Sequence, residues 1–203
     1  MKNQFAKYQA YIAEVIGTFA LTFIVWLSVT FTLPLPTPVM AALTLGVFVC
    51  LFGAVSGAHF NPAVTVGLLS IQKIKPIDAL WYVASQFAGS ALALLLGYAL
   101  SGTTANVAHQ SFLAVGFAEA IGAFFLVFAV TNVVLRKMET IVAGAVIGGS
   151  LLLGICMASP FSNGILNPAV AFGIGSFGPM YVLGPIVGAI CGAWAAKKLL
   201  EMA

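Results

Sequence analysis

The hydrophobic positions of this chain form six long stretches, separated by short segments that contain proline, glycine and polar residues. Apolar stretches of this length predict helices that cross a membrane. They lie at about 8–32, 39–57, 77–100, 112–135, 140–158 and 179–197. The segment Leu33–Pro38 holds three prolines and cannot continue a helix. The expected fold is all-α, with residues 1–203 forming a single transmembrane domain.

Composition and charge agree with a lipid environment. The chain is 62% hydrophobic and 6% charged, whereas soluble domains carry about 25% charged residues. With six spans, all eight Lys and Arg residues fall on one face, and the opposite loops at 33–38, 101–111 and 159–166 have no charged residue. The positive-inside rule therefore predicts cytoplasmic N- and C-termini in a plasma or inner membrane. The sequence has no basic helix of the kind that binds nucleic acid, so no nucleic-acid partner is expected.

Two copies of Asn-Pro-Ala-Val begin at Asn61 and Asn167. Asn is a favoured helix N-cap and Pro a favoured first helical residue, so each copy predicts a helix start. The run Pro62–Ser70 would be only about 14 Å long, roughly half of the hydrocarbon core. Two half-helices that begin with the same cap suggest a pore in which their N-terminal ends meet.

The chain also contains an internal duplication. The segment Ala13–Gly17 recurs as Ala118–Gly122, and the two Asn-Pro-Ala copies follow at similar distances. Three spans in each half is an odd number, which predicts inverted repeats at about 1–100 and 112–203. Small residues at every fourth position predict that spans three and six cross with their backbones close together. These residues are Ser85, Gly89, Ala93 and Gly97 in span three, and Gly184, Gly188, Gly192 and Ala196 in span six.

With these motifs the chain resembles the major intrinsic protein family, which comprises the aquaporins and glycerol facilitators. The resemblance rests on both Asn-Pro-Ala motifs, the lead-in Ser56–Phe60, the Ala-Glu-x-Ile-Gly openings, and Gly67 and Gly173. It covers nearly the whole chain. It implies six transmembrane helices plus two re-entrant half-helices, a homotetramer with one pore per subunit, and passive permeation.

The resemblance assigns the centre of the pore to Asn61, Pro62, Ala63, Asn167, Pro168 and Ala169. Each Asn oxygen would cap its own half-helix, which leaves the two amide groups free to point into the pore. A passing water must then turn its oxygen toward both amides, which interrupts a proton wire. The positive ends of the two half-helices add a barrier to cations, as in aquaporin-type pores.

The outer constriction departs from the family pattern. Aquaporins usually place an arginine directly after the second motif, and here that residue is Val170. Counting from the motifs as the family does, its partners are Ala41, Ile155 and Gly164. This filter has no charge, and it lacks the aromatic and the histidine that are common in water-selective members. We therefore expect a wide, uncharged filter.

Two carboxylates lie deep in the predicted spans. Glu14 and Glu119 occupy matching positions, and the family suggests that each carboxylate braces a re-entrant loop; the alternative is a proton relay in a coupled transporter. His59 precedes Asn61 and is expected either to line the inner vestibule or to satisfy loop backbone groups. Neither a metal site nor a cofactor is expected.

The sequence thus predicts a passive channel for water and small uncharged solutes, with glycerol, urea or ammonia as candidates, in contact with the lipid bilayer. No catalytic set is visible, so an enzyme is not expected. Two alternatives stay open. One is a proton-coupled secondary transporter, which also uses inverted repeats and broken helices. The other is an ion-conducting pore, since the filter arginine is missing.

Overall fold

The structure, a computed structural model, describes the backbone of residues 2–108 and 112–202 and the side chains from Phe5 onward. His109 lies outside the described residues. Eight helices are present in the described part of the chain: α1 Lys2–Thr30, α2 Thr37–Ser56, α3 Pro62–Ser70, α4 Pro76–Ser101, α5 Leu113–Arg136, α6 Thr140–Ala158, α7 Pro168–Gly173 and α8 Pro179–Glu201.

Six of these helices are long and apolar enough to cross a membrane, and α3 and α7 are the two short ones. This confirms the expected all-α membrane fold of six spans plus two half-helices. The first helix begins earlier than the hydrophobic pattern indicated, at Lys2 rather than near residue 8. Its polar first turns continue beyond the apolar stretch, and Lys7 pairs with Asp78 of α4 at 2.8 Å.

The two halves repeat the same set of contacts. Helix α1 packs against α2 and α4 in the first half, and α5 packs against α6 and α8 in the second. Each half-helix also packs against a helix of the opposite half: α3 lies against α8, and α7 lies against α4. The two short helices also touch each other. The sites at their N-terminal ends are therefore built from both halves.

The expectation that spans three and six cross each other is wrong. These spans are α4 and α8, and they make no direct contact among the described residues. Their small residues face the first helix of their own half instead. A Cβ added at Gly89 would collide with the carbonyl oxygen of Val15 in α1, and one at Gly188 with that of Ala120 in α5. The spacing correctly indicated close helix crossings, but it could not identify the partner helix.

Candidate pore

Both Asn-Pro-Ala motifs form helix caps at the start of a half-helix. Asn61 is extended, and its Oδ1 accepts a hydrogen bond from the backbone N–H of Ala63 at 2.8 Å. Asn167 does the same with Ala169 at 3.0 Å, and also accepts from Val170 at 3.3 Å. Each cap satisfies backbone donors that a helix start leaves unpaired.

The amide groups of the two asparagines connect the two motifs. Asn61 Nδ2 donates to the carbonyl of Leu166 at 2.9 Å, and Asn167 Nδ2 donates to that of Phe60 at 3.0 Å. Each asparagine therefore holds the residue that precedes the other one. The expectation of free amides needs correction, because one of the two N–H groups is used in each case. The other N–H remains available to a solute.

Two loops lead into the motifs, and each is held by a buried carboxylate. We call residues 56–61, which start at the last residue of α2, the first loop and residues 159–167 the second loop. Glu14 of α1 accepts from the backbone N–H groups of His59 at 3.0 Å and Phe60 at 2.7 Å. It also accepts from Ser56 Oγ at 2.7 Å and from Gln86 Nε2 at 2.8 Å. Four donors thus meet its two oxygens.

Glu119 of α5 repeats this arrangement for the second loop. It accepts from the backbone N–H groups of Ile165 at 3.0 Å and Leu166 at 2.6 Å. Ser162 Oγ donates to it at 2.8 Å. Both carboxylates are fully buried. This is the geometry that a loop-bracing role requires, because loop N–H groups at membrane depth have no water to pair with.

A cavity of about 220 Å³ runs past both asparagines, with room for several water molecules. All four residues of the expected filter, Ala41, Ile155, Gly164 and Val170, line it. No Lys, Arg, Asp or Glu is among its described lining residues. Apart from the two asparagines, the polar side chains in its wall are Thr37, His59, Ser159 and Asn163.

His59 lies in the wall of this cavity and also makes local contacts. Its Nδ1 is 3.1 Å from Thr65 Oγ1, and its ring packs edge-on against Tyr82 with 5.0 Å between ring centres. His59 thus lines the cavity, whereas its ring contacts the side chains of Thr65 and Tyr82 and no loop backbone group among the described residues.

Sequence reasoning missed three residues that hold the first loop. Gln86 Nε2 reaches both Glu14 and Thr65, and Tyr82 Oη donates to the carbonyl of Ser56 at 2.7 Å. A fully buried amide in a membrane helix is rare and calls for a partner, so Gln86 carried a usable signal. Thr65 carried none, since a threonine in a short helix is unremarkable by itself. Among the described residues, no group of His, Cys, Asp or Glu is arranged to hold a metal ion.

Comparison with known proteins agrees with this geometry. The sequence model described as major intrinsic protein matches residues 1–196. The chain belongs to the major intrinsic protein family. This family membership identifies a passive channel for water and small solutes, and the family is one of channels rather than enzymes.

Members of the major intrinsic protein family from distant organisms resemble the chain along most of its length. It is 34% identical to Nodulin-26 of Glycine max, over 92% of this chain and 76% of that protein. It is 33% identical to the probable aquaporin AqpM of Archaeoglobus fulgidus, over 79% and 74%. It is 31% identical to the glycerol uptake facilitator protein-like 6 of Lactiplantibacillus plantarum, over 93% and 97%.

A solved structure of the family supports the fold. The aquaglyceroporin from Plasmodium falciparum superposes with a TM-score of 0.81 at 20% identity, covering 97% of this chain and 100% of that one. At this identity the likeness concerns the fold, which is the six-span arrangement with two half-helices described above.

Proposed function

We propose that this channel passes small uncharged solutes such as glycerol, urea or ammonia as well as water, through an uncharged outer filter. The observation that carries the proposal is Val170 in the wall of the cavity, at the position where the family usually has an arginine. An arginine would add a guanidinium with five donors and a fixed positive charge. Valine adds neither, and Ala41 and Ile155 beside it are also apolar.

Selection against ions rests on the two motifs. Each asparagine keeps one N–H that is not used by the opposite loop, and each half-helix directs its positive end toward the same region. A neutral solute turns an oxygen or nitrogen lone pair toward these donors. A cation meets partial positive charge on both sides, and no acidic side chain lines the described part of the cavity to offset it.

The contacts and location of Glu14 and Glu119 favour passive permeation over proton coupling. A relay needs a carboxylate that exchanges protons with a permeation path. Glu14 accepts four hydrogen bonds and Glu119 accepts three, all from the protein. Neither residue lines the cavity. Their contacts serve the loops, which supports a structural role for both.

The experiment is stopped-flow shrinkage of liposomes that contain the native protein or Val170→Arg. We expect the substitution to lower glycerol permeability about tenfold, a barrier change of about 1.4 kcal/mol, and water permeability less than about threefold, a change below about 0.7 kcal/mol. Val170→Leu is the control, because it adds volume without charge or donors. Equal losses of water and glycerol in Val170→Arg would contradict a role in solute choice.

We also propose that the repeats 1–100 and 112–203 are inverted, that both termini lie in the cytoplasm of a plasma or inner membrane, and that four copies assemble with one pore each. The matching contacts of α1 with α4 and of α5 with α8 support the repeat.

The proposed membrane orientation follows from the positions of the basic residues. A membrane-impermeant thiol reagent added to intact cells should label a cysteine introduced at Thr104 and not one at Lys137. The reverse pattern would overturn the orientation.

A further inference from the structure

We propose that Gln86, acting through Thr65, fixes the neutral imidazole of His59 in the tautomer that carries its proton on Nδ1. This presents a bare Nε2 acceptor to the inner half of the cavity. Gln86 and Thr65 are positioning residues in this proposal, and His59 is the residue that meets the permeating water. The inference does not depend on the filter at Val170, since it concerns the opposite side of the two motifs.

The orientation of the Gln86 amide is set by Glu14. Nε2 of Gln86 lies 2.8 Å from Glu14 Oε2 and 2.9 Å from Thr65 Oγ1, so both of its hydrogens are donated. Turning the amide over would place its carbonyl oxygen against a carboxylate oxygen that accepts from Phe60 N–H at 2.7 Å. That contact joins two acceptors and is repulsive. Gln86 therefore acts on Thr65 as a donor.

The hydroxyl of Thr65 has three neighbours and one proton. It accepts from Gln86, donates to the backbone carbonyl of Asn61 at 3.1 Å, and lies 3.1 Å from His59 Nδ1. We assign this proton to Asn61, because a threonine hydroxyl inside a helix characteristically donates to the carbonyl four residues earlier, and the remaining lone pair can then only accept. His59 Nδ1 must then be the donor, which leaves Nε2 without a proton in the neutral ring.

Nε2 is the atom that remains for the pore. Nε2 has no hydrogen-bond partner among the described residues. It is also not one of the fully buried polar atoms that lack a partner, so a small molecule in the cavity can reach it. His59 lines the cavity together with Asn61. A water that accepts from the Asn61 amide can then donate to Nε2 as it moves on. The two fixed points impose the same water orientation, which extends the interruption of the proton wire beyond the motifs.

The second half of the channel has no such chain. Counting from the motifs, the residues that correspond to His59 and Thr65 are Ile165 and Ala171, and in the register of spans three and six Gln86 corresponds to Pro185. None of these three side chains donates or accepts a hydrogen bond. The acceptor is therefore specific to the inner side of the midplane.

The chain has only two histidines, which makes a direct measurement simple. His109→Gln leaves His59 as the sole imidazole. Nitrogen-15 solid-state NMR of this protein, labelled at histidine and reconstituted in liposomes at pH 7.5, should show one protonated ring nitrogen at Nδ1 and one bare nitrogen at Nε2. A proton on Nε2, or on both nitrogens, would overturn the proposal.

Two matched variants in the same background test the positioning role. Thr65→Val has nearly the same shape but no oxygen, so we expect signal from the Nε2–H tautomer and water permeability about fivefold lower, as for one lost hydrogen bond. Thr65→Ser keeps the acceptor and should restore both the Nδ1–H signal and the native permeability. An unchanged tautomer in Thr65→Val, or a serine variant that behaves like the valine one, would contradict the role of Thr65.

Discussion

The first and second loops share the hydrogen bonds that support the Asn-Pro-Ala motifs, and they differ in their contacts with the surrounding helices and segments. Each has a serine and two successive backbone N–H groups on a buried glutamate. A tyrosine hydroxyl holds each loop as well: Tyr82 donates to the carbonyl of Ser56, and Tyr181 accepts from the N–H of Asn163. These features recur at corresponding positions, so the two motifs have the same kind of support.

The differences begin beyond the glutamates. The first loop is tied to α4 through Gln86, which reaches Glu14 and Thr65. The second loop is tied instead to the segments that follow α4 and α7, because Asn163 Nδ2 donates to the carbonyl of Ala108 and to Ser176 Oγ. We therefore expect the shared contacts to hold the shape of the motifs and the unshared contacts to determine the chemistry of each entrance. Substitutions in the shared part should affect folding, and those in the unshared part should affect permeation.

Removal of the glutamates should have the largest effect. Glu14→Ala strands four buried donors and Glu119→Ala strands three, at a cost of about 1–3 kcal/mol for each unpaired group before relaxation. We expect both variants to lose several kcal/mol of stability, with Glu14→Ala the less stable. The apparent melting temperature in detergent measures this. Glu14→Gln, which keeps two acceptor sites on its amide oxygen, should melt between Glu14→Ala and the native protein. A more stable Glu14→Ala than Glu119→Ala would contradict the count of donors.

Replacing glycines at the helix crossings by alanine should have the next largest effect. A methyl group at Gly89 would overlap the carbonyl of Val15, and one at Gly188 would overlap that of Ala120. Alanine at either position must push two helices apart, at about 1–3 kcal/mol. Gly53→Ala is the control, since no atom lies within 4 Å of the added methyl. Melting temperatures should fall for the first two variants and not for the third. Similar behaviour of all three would mean that these crossings tolerate separation.

The serines should give the smallest and most symmetric effect. Ser56 Oγ donates to Glu14 and accepts from Ala58 N–H, and Ser162 Oγ donates to Glu119 and accepts from Gly164 N–H. Alanine at either position should cost about 1–2 kcal/mol, because it removes one hydrogen bond to a carboxylate and one from a backbone N–H. The two losses should be similar, because each serine makes the same two hydrogen bonds. A clear difference between them in the same melting experiment would show that the two loops are not supported equally.

Much of this structure could be predicted from local sequence. The six spans follow from apolar length, and the starts of α3 and α7 follow from Asn followed by Pro, because capping depends on a few adjacent residues. Partners distant in sequence were harder. Nothing local shows that Asn61 binds the carbonyl of Leu166, or that α4 packs on α1 and not on α8. These contacts depend on how the halves assemble.

The permeability of the native protein to glycerol and urea is the most direct test of the uncharged filter. Stopped-flow light scattering compares liposomes that contain the protein with empty liposomes of the same lipid, for water and for each solute. With Val170, Ala41 and Ile155 in the wall of the cavity, we expect water, glycerol and urea all to cross faster than in empty vesicles. High water permeability with glycerol and urea permeabilities equal to those of empty vesicles would contradict the account.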